Sequence, residues 1–128
     1  MILLDTCTLL WLASDPEKLS EEAKKMILKH ADGLFVSAIS AFEIGVKANM
    51  KIFALPSSPA KWFRDALEFH GISEIPISSD IAILSTQLPP LHRDPCDRIL
   101  IATSKIHDLV LLTPDKLISQ YPGVKVGW

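Results

Sequence analysis

The chain has 128 residues, 48% of them hydrophobic, with a formal net charge of −2. That length fits one domain over residues 1–128 with a core of its own, and the apolar share excludes long disorder. The slight acidity excludes a protein that coats nucleic acid through bulk positive charge, but not an enzyme that grips a few phosphates locally.

Ile2–Leu4 is a short apolar run, read as a buried strand. It meets Asp5 at once, which fits neither a signal peptide nor a transit peptide. No apolar run reaches the roughly 18 residues of a membrane span, so a cytoplasmic protein with no membrane contact is expected. Leu9–Ala13 is again apolar and ends at the turn Ser14-Asp15-Pro16. Ser20 caps a helix running to about Ala31, with Gly33 just past its end. Leu34–Val36 reads as a second strand. Ser37 then begins a helix whose apolar stripe is Ile39, Phe42, Val46 and Met50.

Leu55 to Pro59 is a loop, and Ser58 with Pro59 opens a helix through Trp62, Phe63, Ala66 and Leu67 that Gly71 closes. Ile75–Ile77 is a brief extended piece, and Ser79 to about Leu88 a helix stopped by Pro89-Pro90. The polar loop from Leu91 to Asp97 leads into a helix over Arg98–His107. Leu109–Leu112 is a buried strand, Thr113-Pro114-Asp115 starts a short helix, and Val124–Val126 is a last strand near the edge. Strands alternating with helices imply a parallel sheet covered on both faces. Ligands of such sheets bind beyond the carboxyl ends of the strands. Cys7 and Cys96 have neither disulfide-scaffold numbers nor zinc spacing and read as free thiols.

That edge rule selects four acids. Asp5 follows the first strand, Asp115 follows Leu109–Leu112 after two residues, Asp97 opens a helix from the same edge, and Glu43 lies on or beside the inward stripe of its helix. Each has an ordinary role alone. Asp5 suits a helix cap, Asp94 suits one with Pro95 behind it and Asp97 in the third helical position, and Asp115 suits a first turn. Glu43 suits an i,i+4 pair with Lys47, worth about 0.2–0.5 kcal/mol. As a group, caps leave Glu43 unexplained. Gathered carboxylates repel unless a cation or proton intervenes, and hard oxygen donors suit Mg²⁺ or Mn²⁺.

At these residues the sequence resembles the PIN-domain family, specifically the VapC-type toxins of bacterial and archaeal toxin–antitoxin pairs. The resemblance is carried by Leu3-Leu4-Asp5-Thr6 with Leu10-Trp11, and by Val36 to Ile44 with Lys47. It continues through Leu88-Pro89, His92 to Ala102, Leu112 to Asp115, Tyr121 and Trp128, in family order. Relatives of this kind often have His where Cys7 stands and an aromatic where Cys96 stands, which leaves open a role for Cys7. The resemblance implies a three-layer α/β/α sandwich. It implies RNA cleavage dependent on Mg²⁺ or Mn²⁺, a homodimer, and inhibition by a VapB-type antitoxin. It assigns the catalytic, metal-holding site to Asp5, Glu43, Asp97 and Asp115.

Around these acids, Thr6, Ser40 and Thr113 are candidates to hold the carboxylates from behind. Arg98, Lys47, Arg93 and Lys116 are candidate RNA contacts beside the acids. Asp94 reads as a cap, and His92 and His107 as loop or helix-end residues without the partners of a general base. Trp11, Trp62 and Phe63 read as core or dimer packing, with Trp62, Phe63 and Leu67 incompletely covered in so small a chain. Two rival functions keep the fold: a housekeeping RNA-processing nuclease without an antitoxin, and a non-catalytic binding module, which would be expected to lose acids. A receiver-type signalling domain would need adjacent acids after the first strand and a late lysine; here Thr6 follows Asp5 and Asp115 stands late.

Overall fold

The computed structural model describes residues 1–128. Five strands, β1 (Ile2–Leu4), β2 (Leu34–Ser37), β3 (Ser73–Ile75), β4 (Val110–Leu112) and β5 (Val126–Gly127), form one sheet in the order β3-β2-β1-β4-β5. Every pairing is parallel, with Leu3 level with Phe35 on one side and Leu111 on the other. Six helices connect them: α1 (Thr6–Ser14), α2 (Glu21–Lys29), α3 (Ala38–Asn49), α4 (Pro59–His70), α5 (Ser79–Gln87) and α6 (Pro95–Ile106).

The two-residue period of a strand explains the layers. Ile2 and Leu4 of β1 join one core with Leu9 of α1, Ala23 and Ile27 of α2, and Trp62 and Phe63 of α4. Leu3, pointing the other way, joins a second core with Ile81 of α5 and Leu100 and Ile101 of α6. All three β1 side chains are fully buried, and each contributes about 1.5–3 kcal/mol by leaving water. A strand of three residues holds the centre of the sheet because it is covered on both faces. The α/β/α sandwich implied by the sequence is the observed architecture.

Local chemistry sets the helix starts. Ser20, Ser58 and Ser78 accept from the backbone N–H of Ala23, Lys61 and Ile81. Asp94 caps α6 through the Cys96 N–H, so this helix begins at Pro95, three residues before the expected Arg98. Gly71 ends α4 at φ 64°, in the left-handed region that favours glycine. The Leu9–Ala13 run lies within α1. The third strand is Ser73–Ile75 rather than Ile75–Ile77, because Ile72 and Ile75 are the residues that reach the core and Ile77 is exposed. The last strand is Val126–Gly127, at the sheet edge as expected but later than Val124–Val126. After Asp115 only a single 3-10 turn, Ile118–Gln120, forms.

Two apolar faces differ from the sequence reading. On α3 the buried residues are Ile39, Ser40 and Ile44, while Phe42 is 61% exposed, Met50 66% exposed, and Val46 also open. Periodicity located an apolar stripe, but Ile44 on the opposite side decides which face is pulled inward. On α4 Trp62 and Phe63 are buried rather than left uncovered, and the exposed apolar residue of that helix is Phe69. Trp11 packs against the terminal Trp128, ring centroids 5.8 Å apart. No helix is long and apolar enough to cross a membrane.

Candidate active site

The strand order reverses direction between β1 and β4, and a crevice opens beyond their carboxyl ends at such a point. Asp5 leaves β1 and Asp115 follows β4 across that gap. Glu43 reaches it from the second turn of α3, and Asp94 and Asp97 from the start of α6. These five carboxylates line one pocket of about 320 Å³, with Thr6, Cys7, Leu10, Lys47 and Pro114.

Asp5 is buried and caps α1, its Oδ1 accepting from the Thr8 N–H at 2.8 Å. Its Oδ2 accepts from the Thr113 hydroxyl, and the Cys7 thiol donates to Oδ1 at 3.3 Å. Burial pushes the Asp5 carboxyl up from its usual range, and the bonds from Thr113, Thr8 and Cys7 partly offset this. The cap reading and the edge position are therefore both true of Asp5. Burial, followed by the charge of Asp5, also raises the Cys7 thiol, and burial with nearby Glu43, Asp94 and Asp97 raises Cys96 to about 11. Both cysteines are free and remain protonated thiols at neutral pH.

Asp97 is raised as well. Burial first, then Asp94, Glu43 and Asp115, push its carboxyl up to about 7, against a lowering contribution from His92. Glu43 pairs with Lys47 at 2.9 Å, and its side chain is only 15% exposed. That pair is the i,i+4 contact read from the sequence, but it uses Oε2 alone. Oε1 is buried with no hydrogen-bond partner. A buried carboxylate oxygen without a donor is costly unless a cation completes it. One lysine among five carboxylates leaves an uncompensated negative pocket. The donors are hard oxygens held in a small space, so the residues present fit a hard divalent cation such as Mg²⁺ or Mn²⁺.

The neighbouring residues divide. Thr113 donates to Asp5 and also accepts from the Asp115 N–H at 3.1 Å. Thr6 and Ser40 bond to each other at 2.9 Å and tie α1 to α3 rather than touching a carboxylate. Lys47 lines the pocket. Arg93 and Lys116 are exposed. Arg98 does not present a free guanidinium. It donates to the backbone carbonyls of Ser85, Leu88, Pro89 and His92, at 2.8–3.2 Å, and so holds the loop after α5. His107 ends α6.

By sequence alone His92 is a loop residue without partners. Its Nε2 lies 3.0 Å from Asp97 Oδ2 and 2.9 Å from Asp115 Oδ2. His92, Asp97 and Asp115 present their ligand atoms within 4.8 Å of one another. The available signal was the packing of His92, Asp94, Asp97 and Arg98 into seven consecutive residues.

Comparisons with known proteins identify the family. The PIN-domain family profile matches residues 2–124. Ribonuclease VapC22 of Mycobacterium tuberculosis is 31% identical over 121 residues, covering 94% of this chain and 91% of that protein. Among solved structures, a toxin–antitoxin complex from Klebsiella pneumoniae aligns with a TM-score of 0.66 at 27% identity, over 97% of this chain and 95% of that one. DNA-bound VapBC from Salmonella typhimurium aligns with a TM-score of 0.70 at 15% identity, over 98% and 96% of the two chains, a likeness of fold. With its switch-point acids and a profile match from end to end, the chain belongs to the PIN-domain family, among its VapC-type members.

Proposed function

We propose that this chain is an endoribonuclease dependent on Mg²⁺ or Mn²⁺ that hydrolyses RNA phosphodiester bonds to 5′-phosphate and 3′-hydroxyl ends. The observation that carries the proposal is the pocket in which Asp5, Glu43, Asp97 and Asp115 converge while Glu43 Oε1 lacks any donor. The relative named a ribonuclease supports RNA as the substrate.

Asp5, Asp97, Asp115 and Glu43 would hold the cation. Bound there, it would neutralise phosphate charge and lower the pKa of a water. Glu43 Oε1 orients the attacking water, and Lys47 fixes the Glu43 side chain in that posture. Water oxygen bonds to phosphorus and gives up a proton to solvent as the bond to the 3′ oxygen breaks, so the 2′-hydroxyl takes no part. The leaving 3′ oxygen takes up a proton from solvent. Thr113 keeps Asp5 aimed at the crevice. Arg93 and Lys116, exposed beside the pocket, contact flanking phosphates.

As a biological setting we propose a cytoplasmic toxin held by a VapB-type antitoxin. The support is the resemblance to proteins solved as VapBC or toxin–antitoxin complexes. The exposed stripe Phe42, Val46 and Met50 supports a homodimer, since contiguous apolar surface marks an interface. The test is purified protein on total cellular RNA, with end mapping, alongside growth on induction with and without the adjacent small gene. Cleavage products with 5′-hydroxyl ends would contradict the chemistry. Growth unaffected by induction would remove the toxin setting and leave the nuclease.

A further inference from the structure

We infer that His92 is a positioning residue whose Nε2–H holds Asp115 beside Asp97, ready for the cation. The inference rests on reading the pocket as a metal–carboxylate site.

The ring's own bonds decide which nitrogen carries the proton. The Asp94 backbone N–H donates to His92 Nδ1 at 3.2 Å, so Nδ1 is an acceptor there. In the neutral ring the proton is then on Nε2, which faces Asp97 Oδ2 at 3.0 Å and Asp115 Oδ2 at 2.9 Å. That nitrogen hydrogen-bonds Asp115, in the turn after β4, and lies 3.0 Å from Asp97, in the first turn of α6, so one ring links carboxylates from two elements. The same bonds argue against the imidazole as a ligand. Binding a cation through Nε2 would move the proton to Nδ1 and set two donors, Nδ1–H and the Asp94 N–H, against each other.

The ring is itself braced. The His92 backbone N–H donates to the Tyr121 hydroxyl at 2.7 Å, and its carbonyl accepts from Arg98 at 3.2 Å. Arg98 also collects the carbonyls of Ser85, Leu88 and Pro89, so the loop bearing His92 is pinned to the end of α5. Without the N–H, two like charges would repel and swing apart, and binding a cation would include the work of regathering them. With it, Asp97 Oδ1 and Glu43 Oε1 stay free of protein donors while the carboxylates are held in place. Outer partners of this kind typically change metal affinity 10- to 100-fold.

The experiment is Mn²⁺ binding followed by electron paramagnetic resonance on the whole chain, comparing the parent with His92→Phe and His92→Gln. Phe keeps a ring without a donor, and Gln restores an N–H. The expected result is about 10- to 100-fold weaker binding in His92→Phe at unchanged stoichiometry, and recovery to within about threefold in His92→Gln. Spin-echo modulation of the parent should show no directly bound nitrogen. In metal-free protein, nitrogen-15 spectra should place the proton on Nε2. Equal affinity in parent and His92→Phe, no recovery in His92→Gln, a proton on Nδ1, or a directly bound nitrogen would each overturn the inference. A parent that binds no Mn²⁺ would overturn the metal-site reading and this inference together, which separates the two failures. If His92→Phe does not fold, the tautomer and the nitrogen coupling of the parent still decide.

Discussion

The hydroxyl of Thr113, at the end of β4, donates to the carboxylate of Asp5 at the end of β1. It also accepts the backbone N–H of Asp115. One small side chain therefore links both acids that flank the reversal in strand order. Thr113→Val keeps the shape and removes the donor, leaving a buried carboxylate short of a partner at about 1–3 kcal/mol. Thr113→Ser should stay close to the parent. Urea unfolding in chelator measures the difference, and equal stability of Val and Ser variants would contradict the link.

Metal-free protein should lose stability as pH rises. The Asp97 carboxyl has an ordinary value of 3.8 and is pushed up to about 7 in the fold. Between those values the folded chain keeps a proton that the unfolded chain has released, so the slope of stability against pH is negative. The loss is complete above about pH 7 and on the order of a few kcal/mol. Unfolding in chelator at pH 5 and pH 8 checks this, and Asp97→Asn should reduce the difference, the raised Asp5 carboxyl contributing with the same sign. Mg²⁺ should restore stability at pH 8 by mass action.

Arg98 and its basic neighbours should separate cleanly. Arg98→Lys cannot serve four carbonyls at once, and should lower stability by about 2–4 kcal/mol. Arg93→Ala and Lys116→Ala, both exposed, should leave melting within about 0.5 kcal/mol and weaken RNA binding in a salt-dependent way. Thermal melts and RNA titration at two salt concentrations read both effects. An Arg98→Lys protein as stable as the parent would contradict the strut.

Features with local causes were legible in the sequence. Ser58, Pro59 and Gly71 bracket α4 because capping and a left-handed stop involve neighbours a few residues away. Asp5 and Asp115 were placed at the crevice because alternation of strands and helices fixes which ends of the strands share an edge. What was lost depends on partners distant in the chain. His92 meets Asp115 across 23 residues, Thr6 meets Ser40 across 34, and Arg98 spends its donors on carbonyls as far back as Ser85. The α3 stripe faces the other way, because apolar residues occur on two sides of that helix and Ile39, Ala41 and Ile44 are the ones that meet the core.

That outward stripe gives a prediction of its own. Phe42→Asp, at a position 61% exposed, should convert a dimer to a monomer in light scattering while melting of the monomer stays near that of the parent. An unchanged dimer would move the interface elsewhere.

The most direct test is the cleavage rate of a defined RNA by the parent and by Asp5→Asn, Glu43→Gln, Asp97→Asn and Asp115→Asn, each with Mg²⁺, with Mn²⁺ and with excess chelator. The expected result is cleavage by the parent with either ion, none in chelator, and a loss of orders of magnitude in every variant that still folds. Full activity in chelator, or in any two of the four variants, would contradict the metal–carboxylate site.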